Sequence, residues 1–585
     1  MAGLLTLGYV TCWSQQTSPT YMDSLNINQV SALILNNSDF GWDLSNQGYM
    51  VPKNQHSSPL FAASMWIGGY HNGNLHVGAQ TYRQNGADFW PGPLDTINAR
   101  PDTSYASPYK HLWKINRYDI ANFIYNWNAG NVQNGTFIPH PSILNWPAHG
   151  TGAFAHNLAP FLDLNADGIY DPIGSGDYPL MRGDQMIWWM FNDSAAVHGE
   201  TGGRPMGIEV HASAYAYTCP SLADSEQVLN YTTFYHYDIF NRTNSVYDTT
   251  FIGLWVDGDL GNYQDDYIGC NVMNNYGFIY NGDNYDEDGS GLTGYHNNLP
   301  AFSCQVLQGP LADINDNIDN DNDGSTDEPG EKCMMSRFSW YNNTGDAQTG
   351  NPIQPSQYYN LFTGRWRNGT YMTYGGNGTN QANPHTKYLF PGTSDPHGIS
   401  VGGSISNPVT PPISNWTQYT AGVLKNDMRF IIGMGPFTMM PKSNYSVDYA
   451  LVFSQDSAHC YNGSDTCVLA RAKKDNVLVK HWFDTDTIPS CLDMSGVGIE
   501  KITGPDIAFR VYPNPASTKL FVEFEHTEGR ITIEIVDMLG KVVKGALFEQ
   551  LHRYAVIPVD DLPPGFYSIR VREEEKVVTQ KFIKD

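Results

Sequence analysis

The stretch VLNYTTFYHYDIFNR, residues 228–242, alternates between two kinds of side chain along its whole length. Successive side chains of a strand point to opposite faces of a sheet, so this alternation predicts a long strand with two unlike faces. Its β-branched and aromatic residues favour the same structure. One predicted face consists of Leu229, Tyr231, Thr233, Tyr235, Tyr237 and Ile239, and the more polar face of Asn230, Thr232, Phe234, His236 and Asp238.

Similar strand patterns lie on both sides of this stretch. They are IEVHASAYAYT (208–218), DTTFIGLWVDGD (248–259) and further runs at 267–280, 427–437 and 444–454. Together they predict a β-sandwich interrupted by long polar insertions at 281–330 and 340–425. Upstream, Asn72-Gly73 between two β-prone runs predicts a hairpin over 59–83. The mixture of apolar and charged residues at 467–483 predicts one helix.

A chain of 585 residues is longer than a single hydrophobic core usually supports, so we expect several domains. The predicted fold class is all-β: a multi-domain β-sandwich with long loop insertions, followed by a C-terminal Ig-like β-sandwich. The predicted division is a signal-peptide-like segment (1–15), an N-terminal β- and loop-rich region (16–205), the central β-sandwich (206–491), a linker (492–508) and the C-terminal domain (509–585).

Charge and targeting signals indicate the compartment. The formal net charge of −26 argues against a nucleic-acid partner, because polyanions are bound by clustered Lys and Arg. The N-terminal MAGLLTLGYVTCWSQQ resembles a secretory signal, although no Lys or Arg precedes its apolar run. No other apolar stretch has the roughly 18 residues that a transmembrane helix needs. Because exported proteins can form disulfides, Cys460 with Cys467 and Cys304 with Cys333 are possible pairs.

The last segment combines short alternating strands with three motifs: YPNPAS at 512–517, DMLGK at 537–541 and LPPGFY at 562–567. Their order and spacing resemble the type A C-terminal sorting domain of the type IX secretion system of Bacteroidota. The resemblance implies that the type IX machinery recognises residues 509–585. It also implies a protein that is secreted or held on the outer cell surface, either released or attached to surface polysaccharide. The residues that carry the motifs include Tyr512, Pro513, Asn514, Pro515, Gly540, Gly565 and Tyr567.

The part of the chain before this domain resembles a group of large surface proteins of the same bacteria for which no activity is established. The shared segments include SMWIGG (64–69), GDYPLMRGDQMIWWMFND (176–193) and YYNLFTGRWRNGTYMTYGG (358–376). This resemblance implies a surface location and a shared β architecture, and it carries over no catalytic residue.

Two acidic loops, DLNADGIYD at 163–171 and DNDNDGSTD at 319–327, place oxygen-bearing residues at every second position before a glycine. Ca²⁺ prefers six to eight oxygen ligands, and alternate positions of a tight loop supply them, one through a backbone carbonyl. The spacing predicts two structural Ca²⁺ sites, although Gly174 and Gly330 stand where an EF-hand has its last Glu. The predicted ligands are Asp163, Asn165, Asp167, Ile169 and Asp171 in the first loop, and Asp319, Asp321, Asp323, Ser325 and Asp327 in the second, completed by Glu328 or Asp316.

Other motifs are weaker. Ser400 stands in GISVG (398–402) but lacks the flanking strand and helix of a nucleophile elbow, and we interpret His198 and Glu200 as surface polar groups. No catalytic residue is predicted. A third candidate calcium loop contains Asn284, Asp286, Asp288 and Gly289. A fourth acidic group fits no loop template, and we interpret its members as structural residues near the end of a strand. They are Asp257, Asp259, Asp265 and Asp266.

These features favour an extracellular protein with a binding or structural role, stabilised by Ca²⁺ and without an identifiable active site. Two alternatives stay open. A glycan-binding module needs an exposed aromatic platform, and an extracellular hydrolase of polymers needs two opposed carboxylates or a Ser or Cys beside a His. Aromatic side chains are mostly used in cores, so we expect burial for the candidate platform residues. These residues are Trp188, Trp189, Trp366, Tyr371 and Tyr374.

Overall fold

The computed structural model describes residues 21–84, 86–102, 106–219, 227–456, 465–488, 509–512, 516, 518–524, 531–536, 542–548, 554–563, 565–573 and 576–584. The predicted signal-like segment 1–15 and the linker 492–508 lie outside these ranges. Two compact units are present, one of Met1–Leu162 and Tyr170–Asp493, the other of Asp163–Ile169 and Met494–Asp585. Strands far outnumber helices among the described elements, which confirms the predicted all-β class.

Strands make up most of the regular structure of the first unit. In chain order they are β1 (Met22–Leu25), β2 (Ser31–Leu35), β3 (Asp39–Phe40), β4 (Tyr49–Met50), β5 (Ala62–His71), β6 (Asn74–Gly78), β7 (Trp90–Pro91), β8 (Trp113–Asn116), β9 (Phe161–Leu162), β10 (Tyr178–Pro179), β11 (Gln185–Asn192), β12 (Ile208–Ala216), β13 (Thr232–Asn241), β14 (Tyr247–Asp257), β15 (Asp266–Asn271), β16 (Tyr276–Asn281), β17 (Ala301–Gln308), β18 (Met335–Asn342), β19 (Met428–Met439) and β20 (Asn444–Ser454). The α-helices are α1 (Arg117–Asn128), α2 (Pro141–Leu144), α3 (Pro355–Phe362) and α4 (Asp465–Thr485). Among the described residues, the helices lack the combination of length and apolar character that crossing a membrane requires.

Two antiparallel sheets form the body of this unit. The nine-stranded sheet has the order β15-β16-β17-β20-β13-β12-β11-β7, with β8 also paired to β11, and the six-stranded sheet the order β18-β19-β14-β5-β3, with β6 on β5. The small sheets are β1-β2-β4 and β10-β9. Because β5 pairs with β14 and β11 with β12, strands from regions 16–205 and 206–491 lie in the same two sheets. The structure has no sheet boundary at residue 206.

The apolar sides of the two large sheets share one core. In β13, Tyr235, Tyr237 and Ile239 are fully buried and alternate with half-buried residues, as the strand pattern predicts. The hydroxyls of Tyr237 and Tyr449 in β20 share a hydrogen bond of 2.8 Å, and Tyr235 stacks on Tyr449 at 4.8 Å between ring centroids. Pairing the phenols in this way satisfies their hydroxyls inside an apolar core.

The predicted strand starts later than residue 228. Val228–Tyr231 form a 3₁₀ turn, and Leu229 packs on the opposite side of the nine-stranded sheet from Tyr235. The cause is a contact with an earlier segment of the chain: the Asn230 side chain accepts a hydrogen bond from the Cys219 amide at 2.8 Å and donates one to the Cys219 carbonyl at 2.5 Å. These bonds hold the turn and end the alternation.

Helices cover the outer faces of both sheets. On the nine-stranded sheet, Phe234 packs in a cluster with Phe123 of α1 and Val479 of α4, and α4 confirms the helix predicted at 467–483. On the six-stranded sheet, α3 packs so closely that a side chain at Gly433 would lie 2.1 Å from the carbonyl oxygen of Phe362. The central strands of both sheets are therefore buried on two faces.

The predicted hairpin is confirmed by β5 and β6, which pair His71 with Asn74 around Gly73. The cysteines differ from the prediction. Cys219 and Cys467 each form a disulfide bond, and Cys460, the predicted partner of Cys467, lies outside the described residues. The suggested Cys304–Cys333 bond is wrong, because both thiols are free and Cys304 is enclosed within β17 of the nine-stranded sheet. Among the described residues, the free buried cysteines are Cys270, Cys304 and Cys333.

The C-terminal unit confirms the predicted Ig-like sandwich. Its two antiparallel sheets, β21-β22-β25 and β24-β23-β26-β27, enclose a core that includes Leu520, Ile533, Ile557 and Ile569. The strands are β21 (Phe509–Tyr512), β22 (Lys519–Phe524), β23 (Ile531–Val536), β24 (Val542–Phe548), β25 (Tyr554–Pro558), β26 (Gly565–Glu573) and β27 (Lys576–Lys584).

The sorting-motif residues fall at strand ends or outside the described residues. Tyr512 ends β21, and Gly565 begins β26. Tyr567 is buried and its hydroxyl donates to the Pro563 carbonyl at 2.9 Å, which ties the strand to the preceding turn. The motif residues outside the described ranges are Pro513, Asn514, Pro515 and Gly540.

The polar side of β13 holds a partly buried network around His236. Its ring nitrogens contact Asp448 at 2.9 Å and Asp238 at 3.1 Å, and Arg182 binds Asp448 at 3.0 Å. Burial alone would lower the pKa of His236, but the two hydrogen-bonded carboxylates outweigh burial and the nearby Arg182, and raise this pKa to about 9.

This network predicts a stability that depends on pH. Because the pKa of His236 is raised above its ordinary 6.5, the stabilisation is complete below about pH 6.5 and is lost as the pH rises through about 9. We expect the free energy of unfolding to fall by at most about 3 kcal/mol over this range, and His236→Gln to flatten the slope. Denaturant titrations at a series of pH values measure it. The exposed His56→Gln should keep the wild-type slope, and an unchanged slope in His236→Gln would contradict the assignment.

Candidate metal centre

Loop 319–331 brings three predicted ligands together. Carboxylate oxygens of Asp319, Asp321 and Asp323 all lie within 4.8 Å of one another. Backbone amides arrange them: the Asp323 amide donates to Asp319 and to Asp321, both at 3.1 Å, and the Gly324 amide donates to Asp319 at 3.0 Å. Gly324 has a φ of 102°, which a residue with a Cβ rarely adopts. The glycine thus permits the turn that gathers the carboxylates.

Two glutamates extend this acidic group. Both carboxylate oxygens of Glu328 are buried without a hydrogen-bond partner. Glu331 is 7% exposed; its Oε1 accepts from the Asn320 amide at 2.5 Å and its Oε2 has no partner. Partial burial, followed by repulsion from Asp323, Asp319 and Glu328, raises the pKa of Asp321. Oxygens without donors among like charges fit a bound cation.

The remaining predicted ligands of this loop point elsewhere or act through the backbone. The carboxylate of Asp327 accepts from the amides of Asp316 at 2.8 Å and Asn317 at 3.2 Å, so it closes the base of the loop. The Ser325 amide donates to Asp323 at 2.8 Å. Sequence reasoning missed Glu331. It stands one position after the place where an EF-hand has its last Glu, and this nearness to the EF-hand position could have marked it as a candidate ligand.

Loop 163–171 has the same local turns and a weaker grouping of acids. Asp163 accepts from the amides of Ala166 and Gly168, both at 2.7 Å, and Asp167 accepts from the Ile169 amide at 2.8 Å and the Asn165 side chain at 2.9 Å. Asp171 instead accepts from the amides of the next turn, at 173 and 174. Within the described residues, the acids of this loop do not form a group of three as tight as that in loop 319–331.

The third candidate loop points into the protein. Asp286 is fully buried and accepts from the amides of Asn262 at 3.0 Å and Tyr295 at 2.5 Å, while Asp288 accepts from the Gly294 amide at 2.9 Å. These carboxylates fasten one loop to another.

Asp257 and Asp259 belong to a group that the sequence does not reveal. Asp257 ends β14, as the predicted strand-end position requires, and Asp427 precedes β19, which pairs with β14. Oxygens of Asp257, Asp259 and Asp427 all lie within 4.8 Å of one another. Asp427 is distant in sequence, so only the pairing of the two strands brings it here.

The groups considered for catalysis are buried. Ser400 is 2% exposed and donates to Asp395, so it is held as a structural hydroxyl. The expectation that His198 and Glu200 are surface groups is wrong. Both side chains are buried. The ring nitrogens of His198 contact the backbone carbonyls of Val77 at 2.9 Å and Asp193 at 2.7 Å. Burial raises the pKa of Glu200 to about 7.

The candidate aromatic platform is also mostly internal, as expected. Trp188, Trp189, Trp366 and Tyr374 are buried. Tyr371 is 43% exposed, but Arg365 lies over its ring at 3.9 Å and His385 stacks on it at 4.0 Å. These five residues do not form an open surface for a sugar.

Comparison with known proteins identifies the C-terminal domain. No curated protein matches the chain. Among solved structures, a polysaccharide lyase aligns with 70% of this chain at 9% identity and a TM-score of 0.17. The chain spans 37% of that enzyme's length, and a likeness at this level does not bear on function. Residues 510–585 match the family described as secretion system C-terminal sorting domain. This segment is the type IX sorting domain predicted from its motifs, and it marks the chain as a cargo delivered to the extracellular space or the outer cell surface.

Proposed function

We propose that the first unit of this cargo has a binding or structural role outside the cell and that Ca²⁺ bound by loop 319–331 stabilises it. The observation that supports the proposal is the convergence of three aspartates beside a glutamate whose oxygens have no hydrogen-bond donor. Asp319, Asp321, Asp323 and Glu328 would hold the ion. A divalent cation would replace the repulsion among these carboxylates by attraction.

The ligand set and the compartment favour Ca²⁺. Carboxylate and carbonyl oxygens in a flexible loop suit this large, hard cation better than Mg²⁺, which demands a near-octahedral site. Extracellular Ca²⁺ modules bind at about 10⁻⁴–10⁻³ M, a range that matches a secreted protein. Loop 163–171, with Asp163, Asn165, Asp167, the Ile169 carbonyl and Asp171, is the candidate for a second ion of the same kind.

Removal of Ca²⁺ should lower the stability of the first unit. An ion at about ten times its dissociation constant adds about 1.4 kcal/mol, so we expect excess chelator to lower the melting temperature by about 1–3 °C. Chelation should also increase proteolysis within 313–331, because the repelling carboxylates open the loop. Calorimetry and limited proteolysis of the full chain, with and without chelator, measure both effects.

The variant Asp321→Asn should remove the proteolytic protection that Ca²⁺ gives this loop. Asp248→Asn is the matched control, because Asp248 is exposed and distant in sequence from the loop. Equal protease sensitivity of wild type with and without chelator would contradict the site.

The glycan-binding alternative has one observation in its favour. A groove of about 710 Å³ in the first unit is lined by aromatic, amide and hydroxyl side chains, a combination that suits a neutral sugar. Tyr419 is 66% exposed at this groove. Other lining residues include Tyr276, Tyr280, Asn271, Asn415 and Thr417. For the hydrolase alternative, the candidates that the sequence offers, Ser400, His198 and Glu200, are all buried.

A glycan array with parallel assays on polysaccharide and protein substrates separates the three roles. For the binding-module alternative, we expect Tyr419→Ala to weaken sugar binding at least about tenfold, because it removes the exposed stacking surface. The exposed Tyr118→Ala on α1 is the control. Turnover of any substrate would favour the hydrolase, and neither binding nor turnover would leave the structural role.

Recognition of residues 509–585 by the secretion machinery predicts a simple outcome in cells. We expect a chain that lacks these residues to remain inside the cell envelope, because the export address is gone. Fractionation and surface labelling measure the location, and a reporter protein fused to residues 494–585 should gain export. The prediction fails if the shortened chain still reaches the exterior.

A further inference from the structure

The end of β14 holds buried carboxylates whose negative charge the described protein groups compensate only in part. Asp257 is fully buried and Asp259 is 7% exposed, and Asp427 lies beside them before β19. Because Asp257 pairs with Arg429 in the antiparallel ladder, Asp259 and Asp427 extend the two strands on the same side of that pair. The register, rather than a loop motif, therefore gathers the three carboxylates.

One guanidinium serves this group. Arg429 donates to Asp257 at 3.0 Å and also contacts Asp427, while its Nε donates to the Tyr82 hydroxyl at 2.7 Å. With all groups ionised, three carboxylates and one guanidinium leave two negative charges. Arg429 makes no ion pair with Asp259 within the described residues. One divalent cation would neutralise the group.

Two carboxylate oxygens of this group have no donor, whereas both oxygens of Asp427 accept hydrogen bonds, one from Arg429 and one from the Asn343 side chain at 3.0 Å. Oδ1 of Asp257 and Oδ1 of Asp259 are buried without a hydrogen-bond partner. An unpaired buried carboxylate costs several kcal/mol, so folded proteins usually supply a partner.

Another buried aspartate shows how this chain normally supplies that partner. Asp193 is fully buried and its carboxylate accepts from three consecutive amides, Met206 at 2.5 Å, Gly207 at 3.0 Å and Ile208 at 2.9 Å. Asp259 is equally enclosed yet receives no such donors in the described part of the chain. The difference indicates a partner other than protein.

Nearby carboxylates add to the negative field. Asp266 is 2% exposed, with Oδ2 bound to the Leu260 amide at 3.0 Å and Oδ1 without a partner. This field favours a cation at the end of β14.

The distances also suit one ion. Two oxygens that bind the same Ca²⁺ at about 2.3–2.6 Å are at most about 5 Å apart. Oxygens of the three aspartates lie within 4.8 Å of one another, so one ion can contact all of them. We propose that Asp257, Asp259 and Asp427 bind one Ca²⁺ ion in a site separate from loop 319–331, at the junction of β14 and β19.

Calcium stoichiometry of the purified full-length protein tests this site. Titration with CaCl₂, read by isothermal calorimetry and by metal analysis after dialysis, should show one bound ion fewer in Asp259→Asn than in wild type. Asp321→Asn should lose a different ion, and the double variant both, so this site and loop 319–331 can fail independently. Asp248→Asn, an exposed change on β14, should keep the wild-type count.

A protonated Asp259 is the competing explanation. In that case Asp259→Asn would bind as many ions as wild type, and this result would overturn the proposal. If Asp259→Asn does not fold, Asp427→Asn is the second variant, because Asp427 is only half-buried and lies outside the strands. It should also lose one ion, and an unchanged count there would equally overturn the site.

Discussion

Burial of the central strands on both faces is the constraint on which the rest of the first unit depends. In β13, Tyr235 and Tyr237 face the core shared by the two large sheets, while Phe234 faces α1 and α4. A strand enclosed in this way needs cover from elsewhere in the chain, and the long insertions provide it. Phe390 and Trp416 from the insertion at 340–425 are part of the shared core. These insertions are therefore structural components, and four of their aromatic side chains, Trp366, Tyr374, Tyr388 and Trp416, are buried in the packing.

The same enclosure explains why carboxylates become buried. Loops that leave a doubly covered sheet must pass beneath other segments, so acidic residues at strand ends lose contact with water. Asp193 shows how protein groups compensate a buried carboxylate, because three backbone amides donate hydrogen bonds to it. Asp259 and Glu328 have no such donors, and in our proposal a cation compensates each of them. The two proposed ions act differently: one closes a surface loop, and the other joins the ends of β14 and β19.

The sequence predicted those elements whose formation depends on neighbouring residues. The alternation at 232–241, the Asn72-Gly73 hairpin and the helix at 465–485 follow from side-chain period and turn chemistry. The three converging aspartates of loop 319–331 follow from their spacing. What the sequence could not supply was long-range register. Asp427 meets Asp257 only through the pairing of β14 with β19, and His198 is buried by contact with the distant Val77 carbonyl. The turn at Val228–Tyr231 was missed because its cause is the remote backbone of Cys219.

The sorting domain and the first unit have separate hydrophobic cores. The core of the C-terminal unit contains residues of that unit alone, and the shared core of the large sheets contains residues of the first unit alone. An ion that binds only the folded state adds stability in proportion to the logarithm of its concentration. With Ca²⁺ bound at β14 and in loop 319–331, the first unit would be most stable where Ca²⁺ is abundant, which is the exterior to which its partner domain directs it.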